Sequence, residues 1–346
     1  MIRKSFKPFL LFFLLFVPFS IWADQLIIEP DMGRGPIINA IRSTQHAINL
    51  VMYGFTDKEL LDALIEQKMK GNTVSLILEN HPFKAEDENK KVMTELNNHH
   101  IAWQGSIPPF RLIHQKTLIV DNQKAIVMTF NFTHSTFKNE RNFALVIDEP
   151  QKVKQIAQLF SADWNHVPTH NLVADFILSP DDSRKKLLTH IMQARKSIAI
   201  YAQNVNDYKI VGALAKAAKN GVNVQLLTSA KMRAKQEAYL NRAGVNIRYS
   251  KAFIIHAKAV NIDNELAIIG SINLTRASLD DNRELSVITR DPLVIKQLDK
   301  TFQHDWTAAS QESNKTIHNI KKMFPDERSL ARTLRQIKKL VGLLTN

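Results

Sequence analysis

The sequence is a duplication, and that confines the chain to two copies of one architecture. A shift of 150 residues aligns Pro30 with Pro180, Ile48 with Ile198, Leu64 with Leu214, Gly71 with Gly221 and Val74 with Val224, without a gap. A shift of 142 aligns His114 with His256, Asn131 with Asn273 and Pro150 with Pro292, and places Phe160 to Trp164 on Phe302 to Trp306. The eight-residue difference falls between Val74 and His114, around the charged run at 85–91 and the Pro-Pro-Phe turn ending at Phe110. Repeats of this length are whole structural units rather than a solenoid period. Two homologous lobes are therefore expected, at 24–170 and 171–310, with a remainder at 311–346 outside the repeat.

Each copy reads as α/β. An apolar strand (48–53; 198–202) precedes an amphipathic helix (58–70; 208–220), with Leu60, Leu61, Leu64, Ile65 and Met69 at helical spacing. Gly71 and Gly221 stand where a helix C-terminal glycine belongs. A second strand follows (73–78; 222–227), then a strand, a hairpin-like turn at Asp121-Asn122-Gln123 or Asp263-Asn264-Glu265, a return strand and a last strand (143–147; 285–289). Strands alternating with helices imply a mixed or parallel sheet covered on its faces.

The chemistry-bearing residues lie at the repeated core. Residues 114–121 and 256–263 both read His-x-Lys-x4-Asp, and Asn131 and Asn273 follow at the same distance. The second loop is Gly270-Ser271-Ile272-Asn273; the first is Met128-Thr129-Phe130-Asn131. His and Lys alternate, so on a strand they share a face. Brought together, the copies supply two imidazoles, two ammonium groups and two carboxamides. A neutral imidazole attacks an anionic phosphodiester without charge repulsion. A second, protonated imidazole gives its proton to the leaving alkoxide and later takes one from water. Lys116, Lys258, Asn131 and Asn273 would hold the non-bridging oxygens. No convincing metal-binding pattern is visible, so neither a metal nor a cofactor is expected.

The tandem motifs, each with its downstream Asn, resemble the phospholipase D superfamily over about residues 28–306. The resemblance implies two lobes about a pseudo-twofold axis with both motifs in one cleft, so no obligate dimer is expected. It also implies that a carboxylate eleven residues after the second Asn, here Glu284, orients the histidine of the opposite lobe. Asn142 holds the matching place in the first copy, with Glu140 two residues before it. His114 would then be the nucleophile and His256 the acid. Asp121 and Asp263 are assigned a structural role, fixing the turn after the strand through side-chain bonds to backbone N–H groups. The first copy departs from the pattern at Met128-Thr129: Thr129 keeps the hydroxyl of Ser271, but methionine cannot adopt glycine's conformations cheaply.

Composition sets the surroundings. The chain has no cysteine, which excludes disulfides and thiolate chemistry. Arg3, Lys4 and Lys7 precede an apolar run from Phe9 to Ile21, the pattern of a signal peptide over 1–23, with an uncleaved anchor as the alternative. Export, to a secreted or periplasmic location, is expected. A net charge of +13 favours an anionic partner, phospholipid or nucleic acid. Arg111, Lys138, Arg141, Lys251, Arg276 and Arg283 cluster around the motifs and would form a basic rim or simply solvated loop charges. Phe110, Phe130, Phe132 and Phe137 between them are either core or stacking surface. Beyond 311, Leu330, Leu334, Ile337, Val341 and Leu344 share a helical face among basic residues, which suits an anionic membrane or docking on the lobes. The expected activity is an exported, metal-independent phosphodiesterase, in the first instance phospholipid head-group hydrolysis. The alternatives are a nonspecific nuclease, cardiolipin-synthase-like transfer, and a noncatalytic binder of anionic lipid or nucleic acid.

Overall fold

A computed structural model of the chain describes residues 23–83, 85, 87–105, 108–168 and 175–311. The expected signal segment, apart from Ala23, and the amphipathic tail, apart from Gln311, lie outside the described residues. The first lobe runs β1 (Gln25–Glu29), α1 (Gly35–Arg42), β2 (Ala47–Met52), α2 (Lys58–Met69), β3 (Thr73–Leu78), α3 (Lys90–Asn98), β4 (Ala102–Gln104), β5 (Thr117–Val120), β6 (Lys124–Met128), β7 (Glu140–Ile147) and α4 (Pro150–Trp164). The second runs β8 (Phe176–Ser179), α5 (Ser183–Gln193), β9 (Ser197–Ala202), α6 (Tyr208–Lys219), β10 (Asn223–Thr228), α7 (Ala234–Arg242), β11 (Asn246–Tyr249), β12 (Ile254–Ile255), β13 (Lys258–Ile262), β14 (Leu266–Gly270), α8 (Arg276–Asp280), β15 (Glu284–Thr289) and α9 (Pro292–Ala308).

The two sheets have the same strand order. It is β1-β7-β6-β5-β2-β3-β4 in the first lobe and, read from the equivalent edge, β8-β15-β14-β13-β9-β10-β11 in the second. In each, a parallel set (β2-β3-β4; β9-β10-β11) joins an antiparallel set along β2–β5 or β9–β13. The fold is therefore two mixed α/β sheets flanked by helices.

Local sequence explains the elements. Asp57 caps α2 by accepting from Leu60 N–H, and Asp207 caps α6 by accepting from Lys209 and Ile210. Both helices stop where Gly71 and Gly221 take φ near +90° (92° and 89°), a conformation that costs other residues a Cβ clash. The hairpins β5–β6 and β13–β14 turn through three residues each, 121–123 and 263–265, and the first two of each, Asp121-Asn122 and Asp263-Asn264, lie at positive φ, which Asp and Asn tolerate better than most residues. Asp121 and Asp263 reach beyond their own turns. Asp121 accepts from the backbone N–H groups of Gln45, His46 and Ala47, and Asp263 from Arg195, Lys196 and Ser197. Each carboxylate thus ties its hairpin to the segment entering the neighbouring central strand, where its bonds were expected within the turn.

Most strands are buried on both faces, because helices cover the outer face of each sheet and the inner faces turn toward each other. One continuous apolar cluster joins Val51, Ile119, Phe143 and Leu145 of the first sheet to Tyr201, Ala259, Ile269 and Val287 of the second, with Phe160 of α4 and Phe302 of α9. Phe130 and Phe132 belong to the first lobe's outer core and are fully buried.

Reciprocal contacts lock the lobes. The Arg141 carbonyl accepts from the N–H groups of His256 and Ala257, and the Arg283 carbonyl accepts from those of His114 and Gln115. The side chains cross the same boundary: Arg141 Nε donates to Asp305 at 2.7 Å, and Arg283 Nη2 donates to Asp163 at 2.7 Å. Asp163 and Asp305 are the repeated aspartates of the Phe-x-x-Asp-Trp helices. Arg141 and Arg283 are therefore not rim charges, because each is buried in an ion pair; Arg111, Lys138, Lys251 and Arg276 are exposed.

Candidate active site

Strand direction gathers the motif residues at one end of the sheets. β2 and β3 run toward that end, β5 leaves it just after His114-Gln115-Lys116, β6 returns to Thr129 and Asn131, and β7 departs again from Glu140. The second lobe repeats this course. His114 and Lys116 both precede β5, and His256 precedes β13, which Lys258 opens, so the histidines stand just before the strands rather than sharing a strand face with the lysines.

Each histidine is held by the opposite lobe. His114 Nδ1 lies 2.9 Å from Glu284 Oε2, and His256 Nδ1 lies 3.1 Å from Asn142 Oδ1. Glu284 is fully buried. Burial alone would raise its carboxyl pKa, but the neighbouring His114 and Lys116 more than offset this and hold it below the usual range. An ionised carboxylate only accepts, so His114 carries its proton on Nδ1 and leaves the Nε2 lone pair free. Burial pulls the His114 pKa down to about 4 against the pull of Glu284, so the imidazole is neutral near neutral pH. The ring of Tyr53 packs edge-on to His114 at 4.8 Å between centroids, which fixes its plane.

The two lysines sit between the halves. Lys116 Nζ donates to the His114 carbonyl at 2.5 Å and lies 5.1 Å from the centre of the Tyr53 ring. Lys258 Nζ donates to the Thr129 carbonyl of the other lobe at 3.3 Å and to the His256 carbonyl, and lies 3.2 Å from His256 Nε2. Burial lowers the Lys116 ammonium to about 7 and Lys258 well below its ordinary value. His256 is also pushed well below the ordinary histidine value, first by burial and then by Lys258, Lys116 and His114. An anionic phosphoryl group entering among these cations reverses that pressure and favours their charged forms.

The remaining site residues support the frame. Asn131 accepts from Gly54 N–H at 3.3 Å. Asn273 is nine-tenths buried, and its Oδ1 has no hydrogen-bond partner among the described residues. Thr129 donates to Asn142 Oδ1 at 2.8 Å and accepts from Phe143 N–H, while Ser271 accepts from Leu285 N–H at 3.2 Å. Both hydroxyls accept the equivalent backbone N–H, but Thr129 donates to the Asn142 side chain whereas Ser271 donates to the Leu285 carbonyl. Gly270 does not adopt positive φ. A Cβ there would meet the Leu285 carbonyl at 2.3 Å, so the glycine supplies room rather than conformational freedom. Met128, its counterpart, is buried in the first lobe's outer core.

Three residues escaped the motif-based reading. Tyr53 ends the first apolar strand and looks like core. Glu88 lies in the stretch where the copies differ in length; its carboxylate borders the same space at Gly54 as the Asn131 side chain, and burial raises its pKa while Lys116 lowers it. Asn282 donates to Glu284 Oε1 at 3.2 Å. Only Asn282 carried a sequence signal, as the repeat partner of Glu140.

Comparison with known proteins bears on the family and the fold. The family model described as "Cardiolipin synthase, PLD-like domain" matches residues 37–164 and 187–306, one segment in each lobe. Cardiolipin synthase 2 of Bacillus cereus is 24% identical over 333 residues, covering 82% of this chain and 64% of the relative. The chain thus spans under two thirds of that relative's length. The mitochondrial cardiolipin hydrolase of Danio rerio is 27% identical over 132 residues, covering 37% of this chain and 58% of the relative. Among solved structures, the phosphatidylserine synthase of Haemophilus influenzae superposes with a TM-score of 0.66 at 12% identity, covering 90% of this chain and 94% of the other; this is a likeness of fold.

Proposed function

The chain belongs to the cardiolipin synthase, phospholipase D-like domain family, and on that premise we propose that it is an exported phosphatidyltransferase working through a phosphohistidine. The observation that carries the chemistry is the Glu284 carboxylate on His114 Nδ1, which leaves Nε2 free and compensates the positive charge that builds on the ring during attack.

In the first step His114 Nε2 bonds to the phosphorus of a phospholipid and the bond to the head-group oxygen breaks. His256 gives its proton to that oxygen. Lys116, Lys258 and Asn131 line the space for the non-bridging oxygens and stabilise their growing charge. In the second step His256 takes the proton of an incoming hydroxyl, whose oxygen bonds to phosphorus as the phosphorus–nitrogen bond breaks. With a lipid alcohol as acceptor the outcome is transfer; with water it is hydrolysis. The similarity to bacterial cardiolipin synthases supports transfer over the head-group hydrolysis first expected. Hydrolysis stands as the second reading, supported by the likeness to a cardiolipin hydrolase. Cardiolipin carries two phosphatidyl groups on one glycerol, so phosphatidylglycerol would serve as both donor and acceptor.

The test is to incubate the protein with phosphatidylglycerol liposomes in EDTA and separate the lipids. Cardiolipin with released glycerol supports transfer, and phosphatidic acid with glycerol supports hydrolysis. Intact lipid alongside degraded plasmid in a parallel tube would overturn the lipid assignment in favour of a nuclease.

A further inference from the structure

The two lobes carry one three-residue stretch with its ends exchanged. It is Glu140-Arg141-Asn142 in the first and Asn282-Arg283-Glu284 in the second. The central arginine does the same work in both, pinning the opposite motif with its carbonyl and pairing with the opposite aspartate. The outer residues also form the same bond in both. Asn142 Nδ2 donates to Glu140 Oε2 at 3.1 Å, and Asn282 Nδ2 donates to Glu284 Oε1 at 3.2 Å. What differs is which member faces the imidazole. In the second lobe it is the carboxylate, 2.9 Å from His114; in the first it is the amide, 3.1 Å from His256, with Glu140 Oε2 standing 3.9 Å from the same nitrogen.

A carboxamide is nearly symmetric in shape, so Asn142 could offer His256 either its oxygen or its NH2 group. Two bonds choose the oxygen: Glu140 accepts from the NH2 group, and the Thr129 hydroxyl donates to Oδ1 at 2.8 Å. The oxygen can only accept from His256, which places that histidine's fixed proton on Nδ1 and leaves Nε2 to exchange protons with substrate.

We propose that this exchange of acid and amide divides the labour between the two histidines, and that Glu140 is a positioning residue that holds the Asn142 carbonyl on His256. The inference rests on the phosphohistidine reaction above. Attack leaves positive charge on His114, where a full carboxylate compensates it. His256 instead must surrender a proton, and a neutral carbonyl leaves its imidazolium the stronger acid. The charged groups facing His256 are Lys258 two residues further along its own motif, Lys116 and His114 from the first motif, and Glu140 from β7.

The experiment is a histidine ¹⁵N NMR titration of the whole, substrate-free protein, with kcat/KM measured against pH on a short-chain phosphatidylglycerol. In the parent protein the neutral His256 is expected as the Nδ1–H form. Glu140→Gln keeps an acceptor for the Asn142 NH2 group and should preserve that form and most of the turnover. Glu140→Ala should give mixed tautomers and at least a tenfold loss of kcat/KM. Asn142→Asp sets a carboxylate on His256 and should raise its pKa by about 1 unit or more, moving the alkaline limb of the pH profile upward by the same amount. An unchanged tautomer in a folded Glu140→Ala protein overturns the proposal. So does a Glu140→Gln protein as impaired as Glu140→Ala, which would make the residue a charge rather than a positioner. If the parent turns over no phosphodiester, the reaction itself is refuted, while the titration still decides whether Glu140 orients Asn142.

Discussion

Removing the Asp305 carboxylate should reveal how the lobes hold each other. Arg141 is 2% exposed, and its Nε and Nη2 donate to Asp305 at 2.7 and 3.2 Å. The Tyr201 hydroxyl donates to the same carboxylate at 2.8 Å. Asp305→Ala takes away the guanidinium's buried counter-charge and the tyrosine's acceptor together. Breaking a buried pair by deleting one partner costs about 3–5 kcal/mol, and a stranded buried hydroxyl adds about 1–3 kcal/mol. Asp31, half exposed, and the Glu29 carbonyl still accept from Arg141 Nη1 and offset part of the loss. The net expectation is about 4 kcal/mol, read as a lower midpoint in urea at unchanged m-value. The thermal midpoint should fall by roughly 8–16 °C if the chain melts as one unit, at about 2–4 °C per kcal/mol. The double variant Arg141→Met with Asp305→Leu should be less destabilised than Asp305→Ala, because no charge is left unpaired. Asp163→Ala should behave alike through Arg283. A loss below about 1 kcal/mol in Asp305→Ala, or a double variant worse than either single one, would refute the assignment of this pair as the lock between lobes.

Other consequences are separately measurable. Glu284→Gln should keep the fold but lower kcat by about 10²-fold or more, since a neutral amide does not compensate the charge on His114; a native rate would dismiss Glu284 from the site. In kcat/KM, activity should fall as pH drops through the His114 value near 4, because the nucleophile protonates. It should also fall as pH rises, through the depressed His256 and then through Lys116 near 7, because the acid and the ammonium lose their protons. The optimum therefore belongs on the acid side of neutrality, and a kcat/KM still rising above pH 8 would contradict these assignments. Glu29 is fully buried, and burial raises its pKa to about 8 although the Gly33 backbone N–H, Arg34 and Arg141 pull it down. A raised carboxyl pKa means the folded state is penalised increasingly as pH climbs from about 4.5 to 8. Glu29→Gln should accordingly raise the melting temperature at pH 9 and lose that advantage at pH 4; an equal effect at both would refute the buried-acid explanation.

The duplication, the α/β class and the central strands were legible because their signals are local and repeated. β3 was placed at its observed residues, and α2 and α6 within a residue of their ends, since an aspartate cap and a glycine stop are written into the sequence. The pairing of Glu284 with His114 also could be anticipated, but only through the family resemblance. The contacts that join the lobes could not. Arg141 meets its partner 164 residues away, and Arg283 meets its partner 120 residues away. Beside two catalytic motifs, two arginines read as solvent-facing rim; only the fold reveals the aspartates that bury them. The reach of Asp121 into the segment before β2 was hidden for the same reason, because its backbone partners lie 74–76 residues upstream. The repeat itself held one unread signal: the acid and amide around each arginine change places between the copies.

The most direct test of the central claim is to trap the covalent intermediate. The protein is mixed with a nitrophenyl phosphodiester in EDTA, denatured within milliseconds at alkaline pH, and digested for mass spectrometry. A site built from both lobes, with Glu284 behind the nucleophile, predicts a phosphoryl adduct on His114. That adduct should be absent from His114→Ala and should persist in His256→Ala, where the base for the second step is missing. An adduct on His256 would reverse the two roles, and turnover by His114→Ala at the parent rate would contradict the shared site altogether.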